Sequence, residues 1–119
     1  MSNSNEIAKL NQLLSDVKIL AGSLSTLDKA SLDKDQILFA TALDAINFRI
    51  RAINKTATDL GLEKARTNPT NPATLQIDEV LLELSKPNPD AKVLHSLLDD
   101  QLETLRKVAL SEILTLSIE

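Results

Sequence analysis

The chain has 119 residues, 43% of them hydrophobic, which is enough for one domain with its own core (1–119) and too few for two. It carries no Cys, one His, two Gly, two Phe and neither Trp nor Tyr, which excludes disulfide frameworks, thiolate chemistry, glycine-rich phosphate cradles and aromatic stacking platforms. The net charge of −4 is uneven: nine Lys/Arg face eight Asp/Glu up to residue 75, and four face nine beyond it, so the second half is ill suited to a phosphate backbone.

The start, Met1 to Glu6, has neither the basic opening nor the apolar run of a signal peptide. No apolar run reaches the roughly 18 residues of a membrane span. A soluble, cytoplasmic protein without membrane contact is expected. Asn3 with Glu6 three residues later fits a capping box that opens a first helix. Ile7, Leu10, Leu14, Val17, Ala21 and Leu24 then recur at helical spacing, flanked by Leu13, Leu20 and Leu27. The continuing positions, Asp28 and Ser31, are polar, and Gly22 is a candidate cap, so this reading ends the helix near Ser23. Asp33, followed by Gln36, is the expected cap of the second helix. Asp33-x-Asp35 is no calcium loop, because the glycine and closing glutamate are missing.

Between Gln36 and Ile53, 12 of 18 residues are apolar, too many for a helix with one wet face. Phe39, Leu43, Ile46, Ile50, Ile53, Ala57 and Leu60 form a seam spaced 4-3-4-3-4-3, as in helical bundles. Gly61 is a possible stop, with 62–66 able to continue the helix. The tandem Thr-Asn-Pro from Thr67 to Pro72 forces extended backbone. A third helix is expected from Ala73 to Ser85, with Ile77, Val80, Leu81 and Leu84 on one side and Leu75 and Leu82 opposite. Lys86-Pro87-Asn88-Pro89-Asp90 is a stiff connection to the last helix. There Ala91, Leu94, Leu98, Leu102, Leu105, Ala109, Ile113 and Leu116 share an arc. Leu110, Leu114 and Ile118 fall outside it, and the alternation over 114–118 also fits a short strand. The expected fold is all-α: an antiparallel bundle of four unequal helices around a central apolar second helix.

Catalytic constellations are scarce. His95, with Asp99 one turn later, reads as a flanking hydrogen-bonded pair. A bundle metal site needs Glu-x-x-His pairs, and residue 92 is Lys. Asp78, Glu79, Glu83, Asp99, Asp100 and Glu103 read as solvated faces rather than an acid–base pair. No catalytic, cofactor-binding or metal-binding residue is therefore expected, and no cofactor.

Arg49, Arg51, Lys55, Lys64 and Arg66 form a weak basic patch, the basis of an alternative reading as a nucleic-acid-binding regulator. Phe48, with Ala45, Arg51 and Ala52, points away from the seam. Either another helix of the bundle covers it, or it meets a partner. Leu110, Leu114 and Ile118 pose the same question. No family signature emerges; the small, acidic, helical profile is shared by secretion chaperones, immunity proteins and regulatory adaptors. The leading expectation is a non-enzymatic protein–protein interaction module that self-associates, with a homodimer as the natural form.

Overall fold

The computed structural model describes residues 2–60 and 77–118. Within them lie four helices: α1 (Ser2–Asp33), α2 (Gln36–Asp59), α3 (Ile77–Leu84) and α4 (Ala91–Ile118). The all-α class and the four unequal lengths agree with the sequence reading. No helix among the described residues is long and apolar enough to cross a membrane. Helix α4 continues through 114–118, so the alternating residues there are helical rather than a strand.

The first helix is longer than its sequence suggested. It runs 32 residues without interruption, about 48 Å at the usual rise. Its buried seam is Leu10, Leu13, Val17, Leu20, Leu24 and Leu27, spaced 3-4-3-4-3 and continued by Ala30. Leu13, Leu20 and Leu27, read as flanks, are the fully enclosed residues, while Leu14 is half-buried and Ala21 exposed. Indexed on that seam, the apolar face does not end at Asp28. Gly22 lies mid-helix in open space and caps nothing. Helix α1 already begins at Ser2, so Asn3 lies inside its first turn rather than capping it.

The stop comes eleven residues past Gly22. Lys34 takes a left-handed backbone with φ 57°. Its N–H reaches the Ser31 carbonyl at 3.3 Å, and the Asp35 N–H reaches Ala30 at 2.9 Å. That paired pattern is a Schellman ending, here built on Lys rather than Gly. Asp35, not Asp33, then caps α2, its Oδ1 accepting the Leu38 N–H at 3.0 Å. A two-residue turn between helices leaves them antiparallel, and Asp16 opposite Arg49 confirms the register.

Helix α2 buries Ala42, Ile46, Ile50, Ile53 and Ala57, with Phe39, Leu43 and Leu60 packed against the same cluster, close to the expected seam. It is not the axis of the bundle. The helices that lie side by side are α1 with α2, α2 with α3, α3 with α4, and α4 with α1. No Cα of α2 comes within 8 Å of one in α4. The four helices therefore form a ring around a shared interior of Leu, Ile, Val and Ala, and α2 is one side of it. A helix apolar on several faces was read as surrounded; here Phe48 and Ile37 remain exposed instead.

The α3–α4 corner is built around Glu83. Its carboxylate accepts from Lys86 Nζ at 2.8 Å and from the Asp90 N–H at 2.9 Å. Asp90 in turn accepts the Lys92 N–H on Oδ1 at 2.8 Å and the Leu94 N–H on its carbonyl, which starts α4. Glu83 is buried, so reading it as a solvated carboxylate is corrected. Of the third helix as expected from Ala73 to Ser85, residues 73–76 lie outside the described segments. So do Leu75, Gly61 and the Thr-Asn-Pro repeats.

Gly22→Ala tests the length of α1. In an exposed mid-helix site the substitution raises stability by about 0.5–1 kcal/mol, read from denaturant midpoints. A helix ending at Gly22 with a left-handed cap would be destabilised by the same change.

Candidate functional site

The residues singled out from sequence fall on two separate surfaces. On α2, Phe48 is 67% exposed, Ala45 and Arg51 are exposed, and Ala52 is half-buried. Among the described residues no neighbouring helix covers Phe48. Its ring has the Arg49 guanidinium 5.5 Å from its centroid, within cation–π range. On α4, Leu110, Leu114 and Ile118 are 39%, 65% and 85% exposed, an apolar row at i, i+4 and i+8 that grows more open toward the end of the helix. Since α2 and α4 do not approach each other, the structure does not merge these two surfaces.

The α4 row continues into a groove that sequence reasoning missed. Between α1 and α4 lies a hollow of about 590 Å³. Leu14, Val17 and Ala21 from α1 and Leu102 and Leu110 from α4 give it an apolar lining, and Lys18, Asp99, Glu103 and Arg106 its polar one. Glu103 and Arg106 are paired to each other at 2.6 Å. The signal for the groove was present in Ala21: a small residue on the flank of a leucine seam leaves space beside it.

The basic patch is not a set of free charges. Arg49 reaches across to Asp16 on α1 with Nη1 2.7 Å from Oδ1, and Gln12 donates to the same oxygen at 3.1 Å. Asp16 is only 2% exposed. Arg51 donates to Asn47 at 3.1 Å within its own helix, Lys55 is exposed, and Lys64 and Arg66 lie outside the described residues. Asp16 was legible as an acid wedged between the core positions Leu13, Val17 and Leu20, a place that demands a partner.

His95 is the third polar feature. Its Nδ1 faces Asp99 at 3.0 and 3.1 Å, as the i,i+4 spacing suggested. Its Nε2 faces Asp28 of α1 at 2.7 Å, a contact between residues 67 apart. Burial alone lowers the affinity of this ring for a proton, but the two carboxylates outweigh it and raise the pKa above the usual value near 6.5. The carboxylates sit on opposite nitrogens, so the imidazole separates them instead of converging with them on one point. Among the described residues no group of three His, Cys, Asp or Glu is arranged to hold a metal ion.

The Glu83 carboxyl is held below its ordinary value near 4.5 by the Lys86 hydrogen bond, then by the Asp90 N–H, against an opposing effect of burial. No family model matches the chain, and neither curated proteins nor solved structures give a match.

Two outcomes follow from these polar contacts. Arg49→Ala strands the enclosed Asp16 carboxylate with Gln12 alone and costs about 2–3 kcal/mol of stability. An Asp16→Leu/Arg49→Met pair recovers most of that loss in a double-mutant cycle by denaturant unfolding. The Glu83 contribution has the sign of a lowered carboxylate: it is complete above the unfolded value and fades as pH falls through the folded one. Thermal midpoints of the wild type and Glu83→Gln should therefore differ at pH 7 and converge in acid.

Proposed function

We propose that this protein is a non-enzymatic helical interaction module of the cytoplasm that works by binding protein, including a second copy of itself. The observation that carries the reading is the α4 row of Leu110, Leu114 and Ile118, which lies exposed and leads into the apolar groove against α1. A continuous apolar strip on a small domain is unfavourable in water and is relieved by a partner surface. The polar groups support a structural rather than catalytic role. Asp16, Glu83 and His95 are each engaged by a neighbour in holding helices together. Phe48 with Ala45, Arg51 and Ala52 is a second, smaller contact surface on α2. The nucleic-acid reading gains no observation of its own, since Arg49 is committed to Asp16.

Light scattering across a concentration series tests this reading. The wild type should gain mass with concentration, and Leu114→Glu should remain monomeric with unchanged helicity. Burying a leucine that is exposed in the monomer contributes about 1.5–3 kcal/mol, so the charge weakens association by roughly tenfold or more. Phe48→Glu reports separately on the second surface. A wild type that stays monomeric at high micromolar concentration overturns self-association, and loss of helicity in Leu114→Glu would make that residue part of the core.

A further inference from the structure

Three edges of the four-helix ring are bridged by chain. Helices α1 and α2 share a two-residue turn, α3 and α4 share Ser85–Asp90, and α2 and α3 are joined through residues 60–76. The α4–α1 edge has no connecting loop, so side chains alone close it. Along its core it has Leu24 and Leu27 on α1 and Leu94 and Leu98 on α4. A polar crosslink at this edge is the Asp28–His95–Asp99 chain.

We infer that this chain is a proton-operated latch on the one unlinked edge of the bundle, closed while His95 carries both ring protons and loosened when it gives one up. The geometry demands this. Both ring nitrogens face carboxylate oxygens at hydrogen-bond distance, and an ionised carboxylate only accepts, so both nitrogens must donate. Neutral imidazole has a single N–H. If the proton leaves Nε2, its lone pair faces Asp28 Oδ2 at 2.7 Å and the crosslink becomes repulsive. If it leaves Nδ1, the bond to Asp28 loses its charge assistance. Either way the α1–α4 link weakens, whereas the Asp16–Arg49 pair of the α1–α2 edge contains no imidazole.

The surrounding charges are few. From α1 comes Asp28, and Lys18 lines the groove beside Asp99. From α4 and its start come Asp99, Lys92 and Asp90, the last two lining a hollow of about 370 Å³ together with Asp28. From α3, Glu83 is held by Lys86 and the Asp90 N–H, and Asp78 and Glu79 are exposed. Lys92 thus shares a hollow with Asp28 and is a cation available to it once the latch lets go. The sign follows: with proton affinity raised in the folded state, the latch contributes fully below the ordinary value near 6.5 and is lost as pH climbs through the folded one.

Because the chain has a single histidine, its imidazole resonances are unambiguous. The test combines an NMR pH titration of His95 with amide exchange, corrected for intrinsic rates, between pH 5.5 and 8.5. The imidazole should titrate above 6.5, and protection over the start of α4 should fall about tenfold for each pH unit by which that midpoint is raised. Protection in α2 should stay level. Asp28→Asn should lower the midpoint and flatten the pH response of α4, and His95→Gln should abolish the response while the helices persist. Lys92→Met should leave the midpoint within a few tenths and deepen the loosening. An unshifted midpoint, a pH response that survives in His95→Gln, or equal loosening of α2 and α4 would each overturn the latch.

Discussion

Everything in this fold hangs on the uninterrupted leucine seam of α1. Leu10, Leu13, Val17, Leu20, Leu24 and Leu27 are enclosed along the middle of a 32-residue helix, and they form one cluster with the interior residues of α2 and α4. Burying each of these large side chains contributes about 1.5–3 kcal/mol. A seam spaced 3-4-3-4-3 stays on one side of the helix, so α1 offers a straight edge against which two antiparallel neighbours align. Were α1 to stop at Gly22, the first turns of α4, where His95 reaches Asp28, would lose their α1 neighbour. With only two Phe in the chain, this interior is filled by many small increments rather than by a few large rings.

Apolar burial is indifferent to register, and the polar contacts supply what it lacks. Each of three edges of the ring carries one. Asp16–Arg49 sets α1 against α2, Asp28–His95 sets α1 against α4, and Glu83 ties the end of α3 to the first residues of α4. They differ in character because their surroundings differ. Asp16 is almost wholly enclosed, and its carboxylate is met by the Arg49 guanidinium and the Gln12 amide on one oxygen. His95 is part-exposed and placed between two carboxylates, so its charge responds to pH. Rigidity and responsiveness therefore lie on different edges of one ring.

The surface left over is uneven. The outer end of α4 carries an apolar row beyond what the core requires, and the groove beside it stays open because α1 presents Ala21 and the edge of Val17 there. Phe48 is exposed on α2. Both surfaces border a polar crosslink: the groove is lined in part by Asp99, which bonds His95, and the Phe48 ring lies 5.5 Å from the Arg49 guanidinium that reaches Asp16.

Much of this was legible in the residues taken alone. Helical periodicity marked all four helices, and the α2 seam from Phe39 to Leu60 matched the buried face nearly residue for residue, because a strongly patterned segment carries its own evidence. The exposed row of α4 was readable for the same reason: Leu110, Leu114 and Ile118 sit outside an arc already full. The end of α1 was misjudged because Gly22 resembles a stop locally, whereas the helix continues through Leu24, Leu27 and Ala30 on the strength of tertiary burial. What only the tertiary structure decided were the pairings across the ring: Asp16 with Arg49, 33 residues apart, and Asp28 with His95, 67 apart. Periodicity tells which face of a helix is apolar. Which other helix meets that face, and in what register, depends on the packing of all four at once.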